Sequence, residues 1–232
     1  EINTMNVRTL SPSDGRIVLR ILEQDPVNRT GVILGMDPYP NHATGIPFED
    51  PKYMKRSNKN IAANICRVYN IPTSTITDCS LHKLVVTDNL FLVNAALTVP
   101  VIPGKNSSGQ HFNLWKPFIK IMLTYILRNS PECLFILIFG KSQHLQDLAN
   151  ECIVDAASGA FPIVSFHPCM ASYFLSERCN PFQEVNALLK LYQREDIKWY
   201  KIFSGFENAK LDEVRVVEEK MTFTSLHNYS NV

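Results

Sequence analysis

The chain has 232 residues, of which 45% are hydrophobic and 19% charged, so it can bury a core without disulfides or metals. It carries 23 Lys and Arg against 22 Asp and Glu, a formal charge of +1, which removes any whole-molecule electrostatic argument for a polyanion partner. The longest apolar run, residues 133–139, is too short to cross a bilayer. The chain also begins without a charged-then-apolar leader, so we expect no membrane span and an intracellular protein.

The cysteines show no CxxC pair and no zinc-type spacing, which predicts reduced and mostly buried thiols. They are Cys66, Cys79, Cys133, Cys152, Cys169 and Cys179. The sequence also lacks the GxGxxG and GxxxxGK stretches that are typical of dinucleotide and nucleotide phosphate sites. We therefore expect no metal and no cofactor.

Four short apolar runs rich in β-branched residues predict buried strands of the kind found in parallel sheets. In chain order these runs are residues 32–34, 90–93, 134–139 and 163–166. Segments with helical spacing are 57–69, 114–128, the shorter 142–149, and one that begins at Asn180-Pro181 and extends to Tyr192. This alternation predicts an α/β fold, a three-layer domain with a central, mainly parallel four-stranded sheet and helices on both faces.

Two further segments lack strong periodicity. Residues 99–113 are rich in Pro, Gly, Ser and Asn, which predicts a loop ahead of a helix that starts near Leu114. From Ser204 onward the pattern is weak and the charges are mixed, which is typical of a short added element or a frayed end. The predicted organisation is thus one domain over residues 1–203 and a C-terminal extension over residues 204–232.

Polar residues follow three of the predicted strands. Asp37 comes just after the first strand, Asn94 ends the second, and His167 follows the fourth. Because ligands bind beyond the carboxyl ends of the strands in an open parallel sheet, we expect these three side chains to meet in one crevice. Each also has a structural interpretation, since Asp before Pro forms turns, Asn caps strand ends, and a lone His is more often structural.

These segments, read together, resemble the uracil-DNA glycosylase family from Gly31 to Trp199. The similar stretches are Gly35-Met36-Asp37-Pro38-Tyr39, Gly45-Ile46-Pro47-Phe48, residues 57–61, residues 92–99, Asn106-Ser107-Ser108 and His167-Pro168. The resemblance implies base flipping and hydrolysis of the N-glycosidic bond of uracil in DNA, which releases uracil and leaves an abasic site.

The resemblance also implies a role for each residue of the crevice. Asp37 positions a water molecule and stabilises the cationic sugar, and His167 donates a hydrogen bond to a uracil oxygen, best as a neutral imidazole. Asn94 reads the imide edge of uracil, since its amide carries both a donor and an acceptor. The remaining expected substrate-binding residues are Met36, the stacking Phe48 and Tyr39, a wall against the thymine methyl group.

The expected DNA contacts lie around this crevice. The resemblance assigns Ser57, Ser107 and Ser108 to loops that contact DNA. Residues 51–77 contain no acid and carry five bases beside Ser57, which concentrates the expected footprint there. The bases are Lys52, Lys55, Arg56, Lys59 and Arg67. Where the family has a wedging Leu, this chain has the small Ala171, so Met170 or Tyr173 becomes the candidate for insertion between bases.

One departure from the family pattern and two rival interpretations of the site must be weighed. Pro40 replaces the usual His, as in the poxvirus-type branch, and His42 could substitute, although a surface imidazole is the favoured interpretation. A Cys169–His167 nucleophilic pair is not expected, because neighbours on an extended strand point apart. A two-carboxylate glycosidase using Asp37 with Glu49 or Asp50 is disfavoured, because adjacent acids in a turn are mostly solvated.

The alternative function is a DNA-binding or polymerase-accessory subunit with weak or incidental glycosylase activity. Pro40, the unusual wedge region and the chain after Lys201 motivate it, because each departs from the plain repair enzyme. The expected partners are uracil-containing DNA, a DNA polymerase or replication partner, and a protein inhibitor that mimics DNA. The expected compartment is the nucleus or a viral replication site.

Overall fold

The computed structural model describes residues 9–49, 52, 55–206 and 208–212. Its strands are β1 (Thr9–Ser11), β2 (Gly31–Gly35), β3 (Leu90–Asn94), β4 (Val99–Val101), β5 (Phe135–Phe139) and β6 (Phe161–Ser165). Its α-helices are α1 (Gly15–Val18), α2 (Arg56–Tyr69), α3 (Lys83–Thr87), α4 (Phe112–Arg128), α5 (Gln143–Ala156), α6 (Ala171–Phe174) and α7 (Pro181–Leu191). Short 3₁₀ turns lie at Arg20–Glu23, Thr73–Thr75 and Trp199–Ile202.

A parallel sheet of order β3-β2-β5-β6 organises the domain. β2 is central and pairs in parallel with both β3 and β5, and β6 extends the sheet beyond β5. Helices connect these strands because a parallel pair cannot be joined by a tight turn. The predicted α/β class and mainly parallel four-stranded sheet are confirmed, and the carboxyl ends of all these strands lie at one edge.

Successive strand residues point into two separate cores. Ile33 and Leu137 pack with residues of α2 and α7 on one face of the sheet. Val32 and Ile136 pack with residues of α4 and α5 on the other face. Side chains alternate along a strand, so the nearly unbroken apolar runs require a helical layer on each side. The predicted three-layer arrangement is therefore confirmed.

The segment predicted as a loop, residues 99–113, begins with a strand instead. β4 pairs antiparallel with β1 in a separate two-stranded sheet, in which Leu10 lies opposite Pro100. The prediction was wrong for Val99–Val101, because a three-residue strand containing Pro has little signal and its partner lies far away in sequence. α4 begins at Phe112 rather than Leu114, and α5 extends beyond residue 149 to Ala156.

The described beginning of the predicted extension contacts the rest of the domain. Ser204 donates hydrogen bonds to the Asp78 carboxylate from its backbone N–H at 2.8 Å and from its hydroxyl at 2.5 Å. The Tyr200 hydroxyl donates to the Ala209 carbonyl at 2.9 Å. The boundary at residue 203 stays a prediction, and residues 213–232 lie outside the described residues.

The six cysteines are free thiols, and all except Cys169 are buried. Burial raises the pKa of Cys66 to about 11 and that of Cys133 to about 12, so these thiols stay protonated at neutral pH. Among the helices in the described ranges, none combines the length and the apolar character that crossing a membrane requires.

Candidate active site

The carboxyl-terminal edge of the sheet borders a cavity of about 250 Å³. Asp37 enters it two residues after β2, Asn94 at the end of β3, and His167 two residues after β6. The sequence-predicted Met36, Tyr39, Phe48, Ser57, Ser107 and Ser108 also line it. Its size is close to the lower end of the usual range for small-molecule pockets, roughly 300 to 1,000 Å³. The structure therefore brings the predicted carboxylate, amide and imidazole to one small cavity.

Gly35, the last residue of β2, provides room for two cavity residues. It lies opposite Asn94 in the sheet register. A Cβ atom at Gly35 would collide with Asn94 Oδ1 and would lie 3.3 Å from the Phe48 ring. Asn94 is itself buried at the end of β3. Because glycine has no side chain, the end of β2 leaves free the space that the Asn94 amide and the Phe48 ring occupy.

The two carboxylate oxygens of Asp37 have different surroundings. Oδ2 accepts hydrogen bonds from the Ser108 hydroxyl at 2.5 Å and from the Gly109 N–H at 2.9 Å. Oδ1 is buried and has no partner among the described residues. Burial raises the pKa of Asp37 above its ordinary 3.8, and the hydrogen bonds from Ser108 and Gly109 oppose that shift. One oxygen is thus held in place while the other can accept a hydrogen bond from a water molecule.

The His167 imidazole is positioned by its own backbone turn. The Cys169 backbone N–H donates to His167 Nδ1 at 3.2 Å, so Nδ1 acts as an acceptor. In a neutral ring the proton then resides on Nε2, which is left as the donor. Burial lowers the pKa of His167 below its ordinary 6.5, so the ring is neutral at pH 7.

The expectation that the side chains of His167 and Cys169 point apart was wrong. Cys169 Sγ lies 2.9 Å from His167 Nδ1. The chain leaves β6 at Ser165 and turns, with the Met170 N–H donating to the His167 carbonyl at 2.9 Å. Alternation along a strand separates only adjacent residues, and residues two apart lie on the same side, so it gave no reason to expect these two side chains apart. The turn after β6 then brings the thiol and the imidazole into contact.

Phe48 forms an aromatic wall of the cavity. Its ring packs edge-on against Phe139, with centroids 5.1 Å apart, and its centroid lies 6.2 Å from that of the His167 ring. Its backbone adopts the left-handed region with φ of 55°. Such a conformation is costly for an aromatic residue and persists only where surrounding contacts impose it.

Tyr39 is held from three directions. Its hydroxyl donates to Asn58 Oδ1 at 2.8 Å, and its carbonyl accepts a hydrogen bond from the Ser11 hydroxyl at 2.8 Å. The Lys55 ammonium lies 5.3 Å from the centre of its ring. Asn58 lies in the stretch 57–61 that resembles the family, but the sequence interpretation gave it no role of its own. The sequence signal that could have identified it is a polar Asn on the apolar face of α2, the face that also carries Ile61 and Ile65.

The predicted DNA-contacting serines differ in their surroundings. Ser57 and Ser107 are buried in the cavity wall, and the Ser107 hydroxyl has no partner among the described residues. Ser108 is exposed, and its hydroxyl is bound to Asp37. The structure therefore places Ser108 on the Asp37 carboxylate, in addition to any contact that it makes with DNA.

The two wedge candidates are exposed and differ in their contacts. Met170 is 45% exposed and Tyr173 is 53% exposed. The Tyr173 ring stacks on Phe166 with centroids 5.1 Å apart, and the Lys141 ammonium lies 4.0 Å from the centre of the Phe166 ring. Tyr173 is thus part of a stacked group, whereas the flexible thioether side chain of Met170 is exposed beside it.

Arg67 is bound to the backbone within the fold. Its guanidinium donates to the carbonyls of Leu175, Ser176 and Cys179 at 2.7 to 3.0 Å, which connects α2 to the chain after α6. Arg67, which the sequence counted among the five positive charges of the expected footprint, therefore has a structural role in the fold. Arg56 and Lys59, by contrast, are exposed at the start of α2.

Glu49 and His42, the alternative site residues of the sequence interpretation, do not join Asp37 in the cavity. Glu49 pairs with Arg20 at 2.6 Å and lies 3.7 Å from His82, so it is engaged away from Asp37, while Asp50 lies outside the described residues. His42 is exposed and is not a cavity residue. Over the described ranges, no group of three or more His, Cys, Asp or Glu could hold a metal ion.

The chain is similar in sequence to uracil-DNA glycosylases from a virus and from bacteria. The chain is 29% identical over 202 residues to the uracil-DNA glycosylase of fowlpox virus, which covers 85% of this chain and 80% of that protein. It is 26% identical over 200 residues to the uracil-DNA glycosylase of Streptococcus thermophilus, with 83% and 85% covered. No protein-family model matches the sequence.

Solved structures show the same fold. The crystal structure of mimivirus uracil-DNA glycosylase superposes with a TM-score of 0.59 at 20% identity, covering 83% of this chain and 75% of that chain. A mimivirus UNG variant in complex with UGI superposes with a TM-score of 0.58 at 20% identity, covering 83% and 77%. The shared feature is an α/β fold around a parallel four-stranded sheet. The chain is thus similar in sequence to viral and bacterial uracil-DNA glycosylases and shares the fold of the mimivirus enzyme.

Proposed function

We propose that the protein hydrolyses the N-glycosidic bond between uracil and deoxyribose in DNA, releasing uracil and leaving an abasic site. The observation that carries this proposal is the convergence of Asp37, Asn94 and His167 on one small cavity. A base inside a duplex is stacked, so the target nucleotide must leave the stack to reach such a cavity. The sequence relatives named above support the same substrate.

The charges of the site match those of the reaction. Breaking the bond between sugar and base develops positive charge on the sugar and negative charge on the departing uracil. The ionised Asp37 stabilises the cationic sugar, and its Oδ1 accepts a hydrogen bond from the attacking water. Nε2–H of neutral His167 donates to a uracil oxygen as negative charge builds there. The water oxygen forms the new bond to the sugar carbon as the bond to uracil breaks, the water proton passes to Asp37 Oδ1, and uracil leaves as its anion.

Three cavity residues account for recognition of the base. Phe48 offers its ring as a stacking surface for uracil. The Asn94 amide can accept from the imide N–H and donate to the neighbouring carbonyl, whereas cytosine presents the reversed pattern. Tyr39 occupies the space that the methyl group of thymine would need. A rigid wall is required there, because an apolar pocket alone rejects one methyl group only weakly.

Incubation with a single-stranded oligonucleotide that carries one uracil tests the proposal. We expect free uracil and an alkali-labile site at that position. Matched oligonucleotides with cytosine or thymine at the same position should remain intact. Absence of any alkali-labile site after prolonged incubation with excess protein would overturn the proposed activity. A polymerase partner, a DNA-mimic inhibitor and the compartment in which the protein acts stay predictions.

A further inference from the structure

We propose that Asn58 is a positioning residue that sets the selectivity of the cavity for uracil over thymine. This proposal rests on the proposed function above. Asn58 lies in the first turn of α2, is fully buried and does not itself line the cavity. It acts through two residues that do, the Tyr39 wall and the Phe48 stacking ring.

One side-chain amide connects these two elements of the cavity. Asn58 Oδ1 accepts a hydrogen bond from the Tyr39 hydroxyl at 2.8 Å. Asn58 Nδ2 donates to the Phe48 carbonyl at 2.5 Å and, at 3.5 Å, to the Cys79 carbonyl. The oxygen faces a hydroxyl donor and the nitrogen faces carbonyl acceptors, so only one orientation of the amide satisfies every partner. The spacing between Tyr39 and Phe48 is therefore fixed through a rigid buried group.

Selectivity against thymine depends on that spacing. Thymine differs from uracil by one methyl group, and a wall that can retreat slightly accommodates it. Phe48 has a strained left-handed backbone, which needs external hydrogen bonds to persist. Loss of the Asn58 amide would leave the Tyr39 hydroxyl without this acceptor and the Phe48 carbonyl without this donor in a buried setting. Both groups would then shift toward other partners, and the space beside the methyl position would open.

Asn64 provides a matched control for loss of a buried amide. It lies on the same helix, is also fully buried, and donates to the carbonyls of Phe174 at 2.8 Å and Cys179 at 3.2 Å. None of these contacts involves a cavity residue. A variant at Asn64 therefore loses comparable hydrogen bonds from α2 but leaves the spacing between Tyr39 and Phe48 intact.

The experiment compares uracil and thymine at one position of a single-stranded oligonucleotide. The ratio of kcat/KM for the two bases is measured for the wild type, Asn58→Leu, Tyr39→Phe and Asn64→Leu, together with the Tm of each. We expect the ratio to fall roughly tenfold in Asn58→Leu and in Tyr39→Phe, since both break the same hydrogen bond. In Asn64→Leu the Tm should fall while the ratio stays at its wild-type value. The double variant Asn58→Leu with Tyr39→Phe should lose little more than either single variant.

The outcomes separate this proposal from the proposed function. A wild type that releases no uracil contradicts the proposed function. A wild type that releases uracil, with an unchanged ratio or no detectable thymine release in both Asn58→Leu and Tyr39→Phe, overturns the role of Asn58 alone. An equal fall of the ratio in Asn64→Leu overturns it as well, because general loosening of α2 would then suffice. If Asn58→Leu does not fold, Tyr39→Phe breaks the bond from the cavity side and decides the question.

Discussion

Asp37 and His167 have pKa values shifted by burial in opposite directions. The pKa of the Asp37 carboxyl is raised above 3.8, and that of the His167 imidazole is lowered below 6.5. The proposed reaction needs both groups without their titratable proton, the carboxylate as an anion and the imidazole neutral. Burial therefore assists His167, whose neutral form it favours, and opposes Asp37, whose charged form depends on Ser108 and Gly109.

The pH dependence of activity follows from these two shifts. We expect kcat/KM for a uracil oligonucleotide to be constant around pH 7 and to fall on acidification only below pH 6.5, the ordinary pKa of His. In His167→Asn the residual activity should keep only the titration of Asp37, so its acidic limb should follow one proton rather than two. A pH–rate profile checks this, and an acidic limb that begins above pH 6.5 in the wild type but not in His167→Asn would contradict the neutral imidazole.

Asp37→Asn should lose activity and gain stability. The amide cannot supply the negative charge, so we expect kcat/KM to fall by at least about a hundredfold. Asn can still accept from Ser108 and Gly109, and it removes a buried charge. Because the folded-state pKa of Asp37 is raised, its ionisation costs stability at pH 7, and that cost disappears as the pH falls through the raised pKa. Thermal unfolding should thus give a higher Tm for the variant at pH 7 and a smaller difference in acid. A lower Tm at pH 7 would contradict this account.

The close packing around Gly35 at the end of β2 can be tested by substitution. Gly35→Ala should displace Asn94 and the Phe48 ring, since the new Cβ would meet both. We expect kcat/KM to fall at least about tenfold, because small displacements of reacting groups are costly. Gly31→Ala, at the other end of the same strand, is the control. Its Cβ would meet the Phe135 ring, so it should lower the Tm while the folded protein keeps its kcat/KM. Equal loss of activity in both variants would contradict a local effect at the site.

The elements that sequence could predict are those whose signal is local. The strands of the main sheet are nearly unbroken apolar runs, and residues at their carboxyl ends must converge, so Asp37, Asn94 and His167 were predictable together. β4 was not, because its pairing with β1 joins Pro100 to Leu10 across the chain. The contact of Cys169 with His167 depends on a turn that no periodicity encodes. The role of Asn58 depends on partners 10, 19 and 21 residues away.

At the scale of the whole molecule, the formal charge of +1 is a sum of unlike regions. Residues 51–77 contain basic residues and no acidic ones. In the structure these basic residues have different surroundings. Arg67 is bound to carbonyls within the fold, whereas Arg56 and Lys59 lie exposed on α2 close to Ser57 and the cavity. Positive charge near the cavity attracts the phosphates that flank a flipped nucleotide. A nearly neutral protein can thus bind DNA through one charged face.

The salt dependence of DNA binding distinguishes the exposed basic residues of α2 from the basic residue that is bound within the fold. Each phosphate contact contributes about 0.7 to the slope of log K against log salt for single strands, so Arg56→Gln and Lys59→Gln should each lower the slope by about that amount. Arg67→Gln removes the same charge from the same helix, but it should lower the Tm and leave the slope unchanged. Anisotropy of a labelled, uracil-free single strand between about 50 and 200 mM salt measures the slopes. A slope lowered equally by Arg67→Gln would mean that net charge, rather than the exposed start of α2, attracts the DNA.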